Sequence, residues 1–499
     1  MALQDVLLEI RARRARMRAD RLEQRQEKRR AADFAAERYE VTTREPSALA
    51  RLINGWWDRL FASVYQGNLG GQEEVYESHL TQRDYIFNTL GTFMWSSMFP
   101  MLTMVATWLS GVDAAGRLSM AFVVGNLLLF MANYGVRTFQ VSDVYEESSF
   151  ADYQISRFIT CAITLVVGFL YCRVRGYDAA MMMTFMGVIG FRVVDGLADV
   201  YEGRLQQMDK LYLSGISQAV RCGLAIAIFA IAMLVTRDVG VASIALMIAG
   251  IASLALLTIP IALMETPESD PGRWHSVQTI LTDGFPLFVA LFLYAVIDSM
   301  PKFAMEGALS YDNQLYFNLM YFPAHAILTA TGIVYKPQLL RLANAWDSPS
   351  ERSRFDKIIF AMIGVIIGIT VVMGVYMAII GVPLTSIMYG IDFEPYRLAA
   401  LAMISTGGLC AAIEFLYQVI TVLRCQQEVM KFYLGVFVFS IPVCVLLVRT
   451  LGINGAVASN VVIMAVLFGL LAYEYVHIRR RTARASDADG DDFDYLERE

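Results

Sequence analysis

The sequence predicts an all-α multi-pass membrane protein, about twelve transmembrane helices in two six-helix lobes around a central cavity. Three observations lead there. The 499 residues are 56% hydrophobic and 18% charged, with a mean hydropathy of +0.48, whereas soluble domains carry about a quarter charged residues. Apolar runs long enough to cross a bilayer, about 20 residues each, recur from residue 85 to residue 477. The polar connection 264–283, containing TPESDPG, follows six of them and divides the set in two.

The twelve runs fall near 85–109, 117–135, 156–174, 179–201, 211–236 and 239–263, then 284–308, 315–335, 357–380, 397–422, 430–449 and 453–477. The connections on one side hold Arg137, Arg204, Lys210, Arg273, Lys336, Arg341, Arg352, Arg354 and Arg424, and HIRRRTAR follows the last run. The other side is short and holds few cations. Positive charge marks the cytoplasmic face, so both termini are expected on the cytoplasmic side, with the multi-pass chain in the cytoplasmic membrane. The halves are faintly alike. Tyr85 to Asp113 and Gly284 to Asp312 span equal stretches, and GVASIALM (240–247) resembles GINGAVASNVVIM (452–464). Parallel repeats of this kind place a substrate site between the halves.

Residues 1–84 precede the first run. Residues 1–40 read as a charged cytosolic helix, and residues 11–38 hold 11 Lys+Arg against 5 Asp+Glu, a balance suited to anionic headgroups. Residues 47–65 set Leu49, Leu52, Ile53, Trp56, Leu60 and Phe61 near one helical face. That fits an amphipathic helix in the interface, with Trp56 and Trp57 at headgroup depth, or one packed on the protein. Residues 66–84 are polar and contain glycine, and read as a linker. The stretch 478–499 is a cytosolic tail with an acidic end. The opening residues lack a cleavable signal pattern, so targeting is expected from the first membrane helix.

Several chemistries find no support. The six cysteines form no CxxC pair and read as small buried hydrophobes. The four histidines share no metal-ligand spacing, so no metal site is expected. No phosphate-binding glycine loop followed by Lys-Ser/Thr occurs, nor HExxH or GxSxG. The short connections on the side away from the termini leave little room for an active site, and the chain is expected not to be an enzyme. Neither charged end reads as a nucleic-acid site.

Charge inside the membrane carries the functional signal. An Asp, Lys or Arg at helix centre costs about 2.5–3.5 kcal/mol on the insertion scale. Such residues are Arg192 and Asp195 in the fourth run, Arg221 in the fifth, Asp298, Lys302 and Glu306 in the seventh, and Glu414 in the tenth. Arg83 and Arg137 stand at inner helix ends. In YAVIDSMPKFAME (294–306) the three charges share one helical face. Asp298 lies about 21 Å from Gly284 at 1.5 Å per residue. Pro301 falls between acid and base, where a missing backbone bond permits a hinge. Two readings stand at this point: a structural Asp298–Lys302 pair, or one wall of a mixed-charge aqueous cavity.

Four stretches resemble a known family: RDYIFNTLGTFMWSSMFPMLTMV (83–105), NYGVRTF (133–139), PLTSIMYGIDFEPYRLAALAMISTG (383–407) and LGINGAVASNVV (451–462). They are similar to the Wzx-like polysaccharide-flippase branch of the multidrug/oligosaccharidyl-lipid/polysaccharide exporter superfamily. The resemblance covers about residues 83–477. Where that family often has Asp followed by Arg, this chain has Asp298-Ser299-Met300 and then Lys302.

The resemblance implies two lobes forming a V, alternating access, and export of a polyprenyl-diphosphate-linked oligosaccharide for cell-surface polysaccharide assembly. It implies substrate contacts at Arg192, Arg221 and Lys302, with Arg83 and Arg137 at the cytosolic mouth. Asp298, Glu414, Asp195 and Glu306 would balance charge or couple transport to a proton or sodium gradient, and no other cofactor is expected. Membrane lipids would be partners, and the N-terminal helix would dock glycan-assembly proteins. Two alternatives remain: a drug or cation antiporter of the same superfamily, and a membrane scaffold for a glycan-synthesis complex.

Overall fold

The computed structural model describes residues 47–65, 73–143, 146–335, 352–422 and 426–496. The charged segment 1–40, the connection 336–351 and residues 423–425 lie outside them. Helix α1 is Ala48–Tyr65, α2 Glu73–Ser110, α3 Val112–Asn133, α4 Val136–Ser142, α5 Phe150–Val174, α6 Ala179–Gln207 and α7 Leu211–Thr236. A π-turn at Leu254–Thr258 joins α8 (Val239–Ser253) to α9 (Ile259–Glu265). Then come α10 (Trp274–Met305) and α11 (Asp312–Tyr335). A second π-turn at Met377–Gly381 joins α12 (Arg352–Tyr376) to α13 (Val382–Tyr389). The chain ends with α14 (Arg397–Val422) and α15 (Gln426–Leu496).

By length and composition, nine helices among the described residues can cross a membrane. The last of these contains two segments, because Gly452 (φ 61°, ψ −135°) breaks α15 in a conformation that costs glycine little. Helices α2 and α11, diluted by polar residues, complete twelve.

Local chemistry sets the boundaries. Ser149 and Asp152 form a reciprocal capping box at the start of α5. Asp178 caps α6 through Met181 N at 2.8 Å, and Asp238 caps α8 through Gly240 N at 2.7 Å. Asp113 and Asp312, matched in the internal likeness, both fall in a first helical turn, where a carboxylate favours the helix dipole.

The first lobe is built on α2 against α7, α6 against α8, and α3 and α5 against α6. The second packs α10 and α14 on α15, and α11 and α12 on α14. Small residues allow close approach: a Cβ on Gly187 would lie 2.4 Å from the Ser243 backbone, and one on Gly407 2.4 Å from the Ala324 carbonyl. Between lobes, α3 meets α10 and α11.

One feature differs from the sequence reading, and a second decides between two readings. The stretch 66–84 is not wholly a linker, because α2 begins at Glu73. Its first residues are polar but free of glycine and proline, so helix propensity continues the membrane helix outward. Helix α1 packs on protein through its inner face. Ala50 and Ile53 are buried with Val136, Tyr212 and Leu213, while Leu52 and Trp56 stay exposed. Glu265 fastens it, accepting from Ser47 N at 2.7 Å and from Lys210 Nζ at 2.9 Å.

Candidate functional site

Two buried polar clusters lie in the membrane region, one per lobe. In the first, a single face of α6 carries Arg192, Asp195, Asp199 and Glu202 at helical spacing. Asp195 accepts from Arg192 Nη1 (2.8 Å), Arg221 Nε (2.9 Å) and Trp95 Nε1 (3.1 Å). Arg221 also donates to Glu202 at 2.6 Å. Asp199 takes Arg137 at 2.7 Å and Arg157 at 2.8 Å. Arg157 further donates to the Ala132 carbonyl at 2.9 Å. Arg192 also sits 5.0 Å from the Trp95 ring centroid and 5.2 Å from that of Phe122.

A cavity of about 160 Å³ opens on this network, lined by Trp95, Leu129, Asn133, Asp195, Asp199, Glu202, Gln218 and Arg221. The network contains four guanidinium groups and three carboxylates. The cavity wall inverts that balance, with three carboxylates and one guanidinium. Arg192, Arg221 and Arg137 are thus ion-paired rather than free to meet an anion. Removing one member would strand a buried charge, which costs about 3–5 kcal/mol.

The second cluster holds the 294–306 stripe. Lys302 is buried, and among the described residues no carboxylate lies within 4 Å of its ammonium. Lys302 Nζ instead stands 3.7 Å from the centroid of the Tyr321 ring and 5.9 Å from that of Phe317. The Tyr321 hydroxyl donates to Asp298 Oδ2 at 2.5 Å, and Asp298 Oδ1 is buried with no hydrogen-bond partner among the described residues. Asp298 and Lys302 therefore meet through one tyrosine rather than as a direct ion pair. The Tyr321 ring stacks on His325, centroids 5.6 Å apart, and His325 is exposed halfway along α11. Tyr294 and Tyr417 flank Tyr433 at 5.8 and 6.4 Å. Glu414 accepts from Tyr335 at 2.7 Å.

Two predicted residues lie apart from both clusters. Arg83 lies at the end of the bundle where α1 packs, stacked 3.8 Å over Tyr212 and bonded to Asp84 at 2.9 Å and Asn54 at 2.7 Å. It clamps α1, α2 and α7 together rather than lining a mouth. Glu306 sits at the opposite end, bonded to Tyr171, Arg175 and Tyr177 of the first lobe. The Tyr177 phenol, in the loop before α6, is pushed far above its ordinary range by burial and by that carboxylate. Pro301 is buried inside α10, four residues from its end.

Sequence reasoning missed Arg157, Asp199, Glu202, Tyr321 and His325. The 192–195–199–202 spacing was a readable signal for Asp199 and Glu202, and the i,i+4 pair Tyr321–His325 for the second cluster.

No family model matches the chain, and no curated protein matches it. Solved structures do. A multidrug resistance MATE family transporter of the MOP superfamily, in its inward-facing conformation, superposes with TM-score 0.57 at 11% identity, over 77% of this chain and 96% of that one. The Vibrio cholerae MATE transporter VcmN gives 0.55 at 14%, over 80% and 97%. A MOP superfamily transporter from Pyrococcus furiosus gives 0.54 at 12%, over 80% and 96%, and is described as having a binding pocket of reverse polarity. The chain therefore has the two-lobed, twelve-helix fold of these transporters.

Proposed function

We propose that the chain is an alternating-access exporter of the MOP type. Its proposed cargo is a polyprenyl-diphosphate-linked oligosaccharide, carried across the cytoplasmic membrane toward cell-surface polysaccharide. The fold supports the transport class. The anionic cargo rests mainly on Lys302, a buried ammonium with no carboxylate in ion-pair reach among the described residues. An isolated buried charge is costly unless something neutralises it. A diphosphate entering between the lobes would add direct negative charge at Lys302, which Asp298 reaches only through Tyr321, while the lipid tail stays in the bilayer and the glycan occupies the polar, tyrosine-lined space.

Asp298 would serve beside Lys302 as the balancing or ion-coupling group, since one of its oxygens is unpartnered. Asp195 and Glu414 are further candidates for coupling to a proton or sodium gradient. Pro301 would let the end of α10 bend as Lys302 engages the cargo. The N-terminal segment would recruit glycan-assembly proteins.

The second reading, a drug or cation antiporter, is favoured by the acidic wall of the first-lobe cavity. Reconstituted vesicles separate the two. Inward-to-outward transfer of a fluorescent polyprenyl-diphosphate glycan, with no uptake of organic cations, supports the flippase. Cation–proton or cation–sodium exchange without glycan-lipid transfer supports the antiporter. If removal of residues 1–66 leaves transfer intact but lowers glycan output in cells, the arm recruits a partner.

A further inference from the structure

At the end of the bundle away from α1, the lobes meet through a compact polar contact that the cavity chemistry does not use. Glu306 caps α10, and its side chain is 1% exposed. Among the described residues, every partner of its carboxylate belongs to the first lobe. Oε2 accepts from the Tyr171 hydroxyl at 2.9 Å and from Arg175 Nη2 at 2.9 Å, and Oε1 accepts from the Tyr177 hydroxyl. Both tyrosines are held by Phe185, with ring centroids 6.3 and 4.5 Å away. The three donors are thus presented by a packed surface.

The surrounding contacts make this a seam. A Cβ on Gly116 of α3 would lie 2.1 Å from the Tyr311 carbonyl oxygen, so only glycine permits that approach. Tyr389 of the second lobe donates to the Pro100 carbonyl of α2 at 2.8 Å. Parting the lobes at this end strips Glu306 of all three donors at once, because all three sit on one side of the seam. Such a contact opens in one step.

The same helical turn connects the seam to the second cluster. Lys302 lies one turn before Glu306, about 6 Å along the axis, and its carbonyl accepts from Glu306 N at 3.2 Å and from Gln314 Nε2 at 2.7 Å. Pro301 removes the backbone bond to the Ile297 carbonyl, in the turn just before that one. A group neutralising Lys302 therefore acts on the stretch of backbone that aims Glu306.

We infer that Glu306 with Arg175, Tyr171 and Tyr177 is the clasp that holds the end of the bundle away from α1 shut, and that it must release for cargo to leave there. This rests on the exporter reading, but the clasp can be read without transport. Hydrogen exchange of the full chain in lipid nanodiscs, comparing wild type with E306Q and R175Q, is the test. We expect at least tenfold faster exchange in 171–178 and 110–117 of the first lobe together with 306–312 of the second, and unchanged exchange in 146–152 at the opposite end of α5. Because Arg175 is 38% exposed in its side chain, R175Q keeps the test usable if E306Q folds poorly. Wild-type exchange in these segments in both variants, or acceleration confined to 306–312, overturns the clasp. Acceleration across the seam, with no cargo moved by the wild-type protein, upholds the clasp and removes the exporter reading instead.

Discussion

The ammonium of Lys302 stands 3.7 Å over the ring of Tyr321. That ring's hydroxyl holds Asp298 at 2.5 Å, so one tyrosine keeps acid and base on a shared helix from closing on each other. Tyr321→Phe keeps the ring under the ammonium and frees Asp298. The variant should fold normally and lose transport as Asp298 closes on Lys302. Tyr321→Leu also removes the cation–π contact, worth about 2 kcal/mol when desolvated, and should lower the melting temperature in detergent as well. Equal stability of the two variants would contradict the assignment.

Arg221 ties two carboxylates of α6. Arg221→Ala should destabilise the first lobe by about 3–5 kcal/mol, seen as a loss of folded protein on thermal melting. Asp199→Asn, which leaves Arg157 and Arg137 facing a neutral group, should also destabilise. A wild-type melting curve for Arg221→Ala would mean that the guanidinium is free for cargo after all.

Gly116→Ala places a methyl against the Tyr311 carbonyl. The overpacking should cost about 1–3 kcal/mol and open the seam between the lobes. Spin labels at Thr236 and Asp392, both exposed, should report a longer or broader distance. An unchanged distribution would show that the seam yields elsewhere.

Glu265 joins Ser47 to Lys210. Glu265→Gln leaves Lys210 without its carboxylate, a loss of about 1.5–3 kcal/mol for a charged hydrogen bond. Limited proteolysis should then cut within 47–65 faster than in the wild type, while the twelve membrane segments stay resistant. Unchanged cutting would mean that Ala50 and Ile53 alone hold α1.

Most of the fold was legible because hydropathy and helix length record membrane crossings directly. All twelve segments coincide with helices, and Gly452 separates the last two as the sequence placed them. The start of α2 was hidden because 73–82 is helical but polar, and polarity resembles a linker. The site was legible only in part. Helical spacing put Asp298 and Lys302 on one face, but Tyr321 and His325 come from α11, which single-helix periodicity does not connect to α10. Arg83 illustrates the same limit: its depth was readable, but its stacking on Tyr212 of α7 was not.

The central claim is that Lys302 meets a diphosphate in the membrane. Lys302→Gln in reconstituted vesicles, with transfer of a fluorescent polyprenyl-diphosphate glycan as the readout, tests it most directly. Loss of one charged hydrogen bond, about 1.5–3 kcal/mol, predicts transfer lowered by roughly ten- to a hundredfold, with the melting temperature held at or above that of the wild type. Wild-type transfer by Lys302→Gln would contradict the account.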